Sequence, residues 1–458
     1  MEFLNLTRRI EIGSNCYCID IGGKRIVLDS GMHPKVEGES ALPDFGLLPH
    51  DSVDAIILSH AHHDHIGSLP VLMRHQPRAP VLMTEPTRQL GGVMLHNSVS
   101  VMMKQREELG IANYPLFTHH EIEQAVKRWH ACPLNHRFSL DGERLGAGEE
   151  GEISIEFYDA GHVLGSAGVL IRAGGRRIFY TGDVNFENQS VSRAAQFPEE
   201  PVDVLITETT RGDTVTPPGY TRDSEKARLA AAINAAFDRG GCVVMPLFAL
   251  GKTQEMLAMF HEMRTGGSLP VVPLYIGGLS TKLTEIYDKL AHHWPRLVPE
   301  LQLLDTLAPF VVAGRSAGET PIHPHRIYAL SSGMMTKKTL SNNFARRILS
   351  DKNQSLFFVG YSDPASPAGL IKSTKPGEDV QVDSDFPPQP LKCRVEQFNF
   401  SSHASRETIR AYINTVTPGK VVLVHGDLPA IQWFQRAVQE DLPASQAVLP
   451  EPGTRIAL

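Results

Sequence analysis

The chain has 458 residues, 41% of them hydrophobic and 21% charged, with a formal net charge of −7. This length exceeds one small core and predicts two domains. The lack of any run of ~18 apolar residues excludes a membrane-spanning helix, and the acidic balance argues against nonspecific nucleic-acid binding. Met1-Glu2-Phe3-Leu4-Asn5-Leu6 lacks the basic and apolar regions of a signal peptide, which predicts a cytoplasmic protein. The cysteines (Cys16, Cys18, Cys132, Cys242 and Cys393) are odd in number and form no C-x-x-C pair. Neither a disulfide framework nor a zinc site built wholly of cysteines is expected.

In chain order, residues 24–29 read as a strand ending at the carboxylate of Asp29. Ala55-Ile56-Ile57-Leu58 reads as a buried strand and runs into His60-Ala61-His62-His63-Asp64-His65. The strand holds one end rigidly, and the turn after it folds ligands around an ion. His60 and His62, two apart, share a face and can chelate one metal. Asp64 and His65 can point at a second ion about 3.5–4 Å away. Imidazole with carboxylate suits Zn²⁺ or a similar divalent ion. Residues 98–109 and 121–130 are predicted helices, and Gly146–Gly151 is a turn-rich link. Three further strands deliver a ligand at their C-terminal ends: residues 154–159 before His162, 177–181 before Asp183, and 420–424 before His425. Residues 204–207 form another buried strand ending at a carboxylate, Glu208.

After Glu208 the pattern changes to alternating strands and helices, the signal of a parallel sheet. Asp223 or Ser224 is the expected cap of a helix over 225–238. Strands follow at 242–245, 271–276, 326–330 and 355–359, with helices at 253–264 and 280–291. Past Pro387-Pro388-Gln389-Pro390 the first pattern returns and supplies His403 and His425. The ligands therefore bracket an inserted α/β segment. The expected division is 1–208, an insertion over 209–390, and a completion over 391–458. Seven basic residues (Arg315, Arg326, Lys337, Lys338, Arg346, Arg347 and Lys352) against Glu319 and Asp351 make a local stripe able to bind phosphates.

The set His60-x-His62-x-Asp64-His65, His162, Asp183 and His425 resembles the metallo-β-lactamase superfamily. The insertion and later motifs resemble its β-CASP branch of RNA-processing nucleases, which holds the cleavage-and-polyadenylation endonuclease and its archaeal and bacterial relatives. The resemblance implies an α/β fold, an αββα sandwich with an inserted parallel-sheet β-CASP domain. It implies two Zn²⁺, with Mn²⁺ as a substitute: His60, His62 and His162 on one, Asp64, His65 and His425 on the other, Asp183 bridging and Asp29 orienting ligands. Asp64, Glu208 and His403 take the catalytic roles, His403 as general acid with Glu208 behind it. Ser332, Gly333, Lys337, Lys338, Ser401 and Ser402 fall at substrate-binding positions. The implied activity is hydrolysis of single-stranded RNA by a hydroxide activated between two metals, with RNA as partner, no membrane, and a homodimer left open.

Several positions depart from the branch. Ser405 stands where Asp is usual, Thr336-Lys337-Lys338-Thr339 where a glycine pair is usual, and Lys252 where Arg is common. The segment after Gly360-Tyr361 also differs. Lys337 and Lys338 would replace lost backbone contacts to phosphate with point charges. Gly251-Lys252-Thr253 is not a P-loop, since Pro246 stands where that motif needs Gly. The alternatives are a metallo-hydrolase of DNA or of a small-molecule ester, lactam or phosphodiester, and a silent scaffold. The complete ligand set argues against the scaffold.

Overall fold

The computed structural model describes residues 1–146, 152–313 and 318–458, so most of the Gly146–Gly151 link and Arg315 lie outside the described residues. It divides into two compact units. The first comprises Met1–Asn188, Ala194–Thr216 and His403–Leu458; the second comprises Gln189–Arg193 and Pro217–Ser402. The insertion thus runs past the expected limit at residue 390. Strand Arg394–Gln397 pairs in parallel with Ser355–Phe358, so the second unit's sheet continues beyond the proline-rich run.

The first unit carries two seven-stranded sheets among the described residues. One has the order Arg455–Ala457, Glu2–Asn5, Tyr17–Ile21, Lys24–Leu28, Ala55–Ile57, Val81–Met83, Trp129–Ala131. The other has the order Gln446–Val448, Lys420–Val424, Val204–Glu208, Arg176–Tyr180, Ala167–Ala173, Ile153–Asp159, Arg137–Phe138. Their inner faces share one apolar layer, with Phe3, Ile26 and Ile57 from the first sheet and Ile155, Ile178, Ile206 and Val422 from the second. Helices Leu69–His75, Glu85–Leu109 and His119–Val126 cover the outer face of the first sheet. Helices Arg406–Val416 and Leu428–Asp441 cover that of the second. Strand Lys420–Val424 shows the logic of these four layers. Val422 and Val424 face the shared layer while Val421 and Leu423 face the helices, so the run is apolar throughout. Each such side chain contributes about 1.5–3 kcal/mol on burial.

The parallel pairings position the site. Lys24–Leu28 runs parallel to Ala55–Ile57, and Val204–Glu208 runs parallel to both Arg176–Tyr180 and Lys420–Val424. The residues at or just beyond those C-terminal ends (Asp29, His60, Asp183, Glu208 and His425) therefore gather along one edge of the sandwich.

Among the described residues the second unit carries a six-stranded sheet and a two-stranded one that pairs Asp379–Val380 with Gln389–Pro390. The order of the larger sheet is Phe310–Val312, Leu274–Gly277, Ile327–Leu330, Val243–Pro246, Ser355–Phe358, Arg394–Gln397, with every pairing parallel. Its core joins Val244, Tyr328, Leu356 and Phe358 to Phe344 and Ile348 of helix Leu340–Ile348.

Several elements differ from expectation for identifiable reasons. The helix expected over 98–109 begins at Glu85, because Thr84 caps it through its hydroxyl (3.3 Å from Thr87 N) and Pro86 sits in the first turn. Gly91 and Gly92 obscured that start. At Gly91 the helix passes close to Ile66, whose Cδ1 would lie 2.5 Å from a Cβ there. The helix expected over 121–130 spans His119–Val126, set by a capping box of Thr118 and Glu121. Trp129–Ala131 then pairs with Val81–Met83 as a strand. Thr221, rather than Asp223 or Ser224, caps Arg222–Asp238. The expected strand 271–276 is Leu274–Gly277, since Pro273 has no N–H to donate.

Candidate metal centre

Every residue of this centre belongs to the first unit. Three groups of donors converge, each with its atoms within 4.8 Å of one another: His60, His62, His162 and Asp183; Asp64, His65 and His425; and Asp183, Glu208 and His403. The turn that carries His62 to His65 is braced from behind. The Asp64 carbonyl accepts Asn15 N–H at 2.9 Å, and a Cβ at Gly31 would lie 1.7 Å from that oxygen. Only glycine permits so close an approach.

Asp29 organises the inner side. It is fully buried with φ at 59° and accepts from Ser59 N at 2.7 Å, Ser59 Oγ at 2.8 Å and Tyr180 OH at 2.5 Å. His65 Nδ1 lies 2.7 Å from its Oδ2. An ionised carboxylate only accepts, so His65 Nδ1 carries the proton and Nε2 turns into the cluster. The same argument sets His60. The Ser59 hydroxyl proton goes to Asp29, so His60 Nδ1, 3.0 Å from Ser59 Oγ, is the donor there and its Nε2 is the inward nitrogen.

His62 Nδ1 lies 3.1 Å from both His60 Nε2 and His162 Nε2. One proton on His62 Nδ1 can serve only one of them. His60 Nε2 and His162 Nε2 also lie 3.5 and 3.6 Å from Asp183 Oδ2. Asp183 Oδ1 is 2.8 Å from His425 Nδ1 and 3.3 Å from His65 Nε2, yet this oxygen and His425 Nε2 are buried with no hydrogen bond. Ring nitrogens and carboxylate oxygens thus face each other with too few protons between them. That donor set fits divalent cations of the zinc type rather than a closed hydrogen-bond network.

The electrostatics agree. Burial works against ionisation of Asp183 and Asp64, but His425 and His65 hold both carboxyls well below the usual range. Burial and the neighbouring His65 push His60 down, and burial pushes His62 down, so both rings favour the neutral, ligating form. His425 is driven up to about 10 by Asp183 and Asp64 against its burial. The acidic residues here call for positive charge.

Glu208, 1% exposed, ends its strand with Oε1 accepting Val184 N–H at 2.7 Å. His403 Nδ1 lies 3.0 Å from Glu208 Oε2 and 4.0 Å from Asp183 Oδ2, with its side chain 24% exposed. Burial opposes a charge on this ring, but Glu208 raises its pKa above the ordinary histidine value. The pair is the arrangement of a proton donor with a carboxylate behind it.

Sequence reasoning missed four supporting residues. Asn15 Nδ2 lies 3.1 Å from His65 Nε2, Ser59 and Tyr180 bind Asp29, and Thr210 Oγ1 lies 3.4 Å from His425 Nδ1. Ser59 and Thr210 each adjoin a motif residue or lie two away from one, which was the available signal. Asn15 carries none.

The expected substrate-binding residues lie in the second unit. Ser332, Gly333, Lys337 and Lys338 share the segment between strand Ile327–Leu330 and helix Leu340–Ile348. Lys337 Nζ is engaged by Asp385 at 2.6 Å and Ser384 at 3.3 Å, so its charge is compensated rather than presented. Lys338 is exposed with φ at 63°. A Cβ at Gly333 would lie 3.0 Å from the Phe248 ring. Ser401 and Ser402 end the unit. The basic stripe also disperses: Arg346 lies over Phe386 at 3.4 Å, and Arg347 donates to the Thr320 carbonyl at 2.8 Å.

A helix-flanked double sheet with histidine and aspartate ligands at its strand ends is a metallo-hydrolase architecture, and similarity to known proteins agrees. The metallo-β-lactamase superfamily model matches residues 9–233, the Beta-Casp domain model 253–371, and that of the Zn-dependent metallo-hydrolase RNA specificity domain 388–450. The chain belongs to the metallo-β-lactamase superfamily, in its β-CASP branch. It is 29% identical over 442 residues to Endoribonuclease ysh1 of Schizosaccharomyces pombe, covering 93% of this chain and 54% of the relative. It is 27% identical to Cleavage and polyadenylation specificity factor 73 of Drosophila melanogaster, covering 95% of this chain and 61% of that one. The chain spans about half the length of the curated relatives it matches. Among solved structures, a protein of unknown function from Enterococcus faecalis shares the fold, with a TM-score of 0.54 and 13% identity over 100% of both chains. Among the described residues no helix is long and apolar enough to cross a membrane.

Proposed function

We propose that this chain is a metal-dependent ribonuclease that hydrolyses phosphodiester bonds of single-stranded RNA. The observation that carries the reading is the Glu208–His403 pair, 3.0 Å apart, beside a convergent set of metal donors. His60, His62 and His162 hold one Zn²⁺, Asp64, His65 and His425 hold a second, and Asp183 lies between the two groups. Bound there, the two ions supply Lewis acidity to the phosphate and lower the pKa of a water. Asp29 keeps His65 in the tautomer that ligates, and Ser59 does the same for His60. As a water gives up a proton to solvent and adds to phosphorus, the P–O bond to the leaving oxygen breaks and His403 releases the proton on Nε2 to that oxygen. Its Nδ1–H stays on Glu208, which favours the imidazolium before transfer. The names of the RNA-cleaving relatives and the match to an RNA specificity domain support RNA as the substrate. The unpaired state of all five buried cysteines suits a reducing, cytoplasmic location.

The test is a cleavage time course on a 5′-labelled single-stranded RNA with Zn²⁺ or Mn²⁺, with Asp64→Ala and His403→Ala beside the wild type. Metal-dependent cleavage that Asp64→Ala abolishes and His403→Ala strongly slows is the expected result. A zinc-loaded wild-type chain that leaves RNA intact overturns the reading.

A further inference from the structure

A second polar cluster lies entirely within the second unit. Glu255, with a side chain 5% exposed, is its one carboxylate. Its oxygens are already taken by three backbone amides: Ser190 N at 2.6 Å, Val191 N at 3.1 Å and Ser192 N at 2.9 Å. Arg222, 15% exposed, places Nη2 3.6 Å from Glu255 Oε2, beyond hydrogen-bond reach. Its Nε and Nη2 are buried with no hydrogen-bond partner among the described residues. The guanidinium otherwise rests on the Phe400 ring, 5.4 Å from the centroid. Lys252 Nζ donates to the Phe400 carbonyl.

The cluster carries more positive than negative charge. Burial, and next the charge of Arg222, depress the Lys252 ammonium to about 8. Arg296, 5% exposed, also lies within electrostatic reach of Glu255, but its Nη atoms are committed to the carbonyls of Tyr287 and Leu301. A buried guanidinium with two unmet donors is costly and normally marks a water or an ion. Water would meet the donors but not the charge, since two or three cations share one carboxylate whose lone pairs already serve amides. An oxyanion meets both demands, and Arg presents a donor fork suited to phosphate.

We propose that Arg222 and Lys252 form an oxyanion subsite that takes a phosphate group, either from an RNA backbone or as free phosphate. The RNA source rests on the ribonuclease reading above; the oxyanion site does not.

The first arm titrates inorganic phosphate against the zinc-loaded full chain and follows the melting temperature. The wild type is expected to gain stability with phosphate, while Arg222→Gln and Lys252→Met each lose most of that gain and Arg222→Lys retains part of it. If Arg222→Gln fails to fold, Lys252→Met and Arg222→Lys decide the outcome. The second arm measures binding of a labelled oligouridylate to zinc-loaded His403→Ala. Adding Arg222→Gln should weaken binding roughly 3–10-fold and lower the salt slope by about one. Loss of both responses supports a backbone-phosphate site. Loss of the phosphate response alone assigns the site to free phosphate. A phosphate response unchanged in both variants overturns the subsite, whatever the chain does to RNA.

Discussion

The metal centre of the first unit and the arginine–lysine cluster of the second both bury groups that repel one another, but they are supported differently. In the metal centre three histidines have the nitrogen that backs the ring held by a fixed partner. Asp29 fixes His65, Ser59 fixes His60 and Glu208 fixes His403. Around Arg222 the backing is weaker: its guanidinium faces an aromatic ring and a carboxylate that three amides have saturated. The contrast teaches that a ligand site is recognised as much by what orients its donors as by the donors themselves. The first centre has rings oriented in advance for ligation, whereas the second is left electrically incomplete.

The largest loss is expected at Asp183, which faces both donor groups. Asp183→Asn should reduce cleavage by on the order of 10³-fold or more and lower bound zinc, read by single-turnover kinetics and metal analysis. His403→Ala should cost on the order of 10²–10⁴-fold while leaving metal content intact, which separates proton transfer from ligation. Glu208→Gln should cost less and shift the pH profile. Because Glu208 holds the His403 pKa above its ordinary value, its loss lets the ring deprotonate sooner, so the alkaline limb moves to lower pH. An unmoved limb would remove His403 as the proton donor. Asp29→Asn should weaken zinc affinity about 10–100-fold, measured by chelator competition, by releasing the His65 tautomer.

The smallest effect sharpens the second region. The Lys252 pKa falls from an ordinary 10.5 to about 8 on folding. Between those values the unfolded chain holds the proton more tightly, so stability should rise with pH across that window and the penalty should be full below about 8. Lys252→Met should flatten that rise in urea melts taken from pH 7 to 10.5. Phosphate should flatten it in the wild type too, by making the ammonium welcome.

Much of the fold is legible in the order of residues alone. The run from His60 to His65, the strand-then-ligand pattern at His162, Asp183 and His425, and the alternating elements after Glu208 report the fold class and the residues that gather at the strand ends. They are legible because short apolar runs bounded by turns mark buried strands, and ligand-type residues follow directly at their ends. The insertion's end is not, because a proline-rich run looks like a boundary although the sheet continues through Arg394–Gln397. Nor is the long helix from Glu85, since interior glycines read locally as breaks while the helix runs through Gly91 and Gly92.

The donor residues of the candidate centre can be picked out from the order of residues alone, because ligand chemistry is local and its spacing is short. Folding sets which ring nitrogen faces inward, brings Asn15 against the Asp64 carbonyl and Ser59 and Tyr180 against Asp29, engages Lys337 with Asp385, and leaves two buried donors of Arg222 unmet. Each of these depends on a partner distant in the chain or on a proton whose place is set by that partner, and no spacing rule records such contacts.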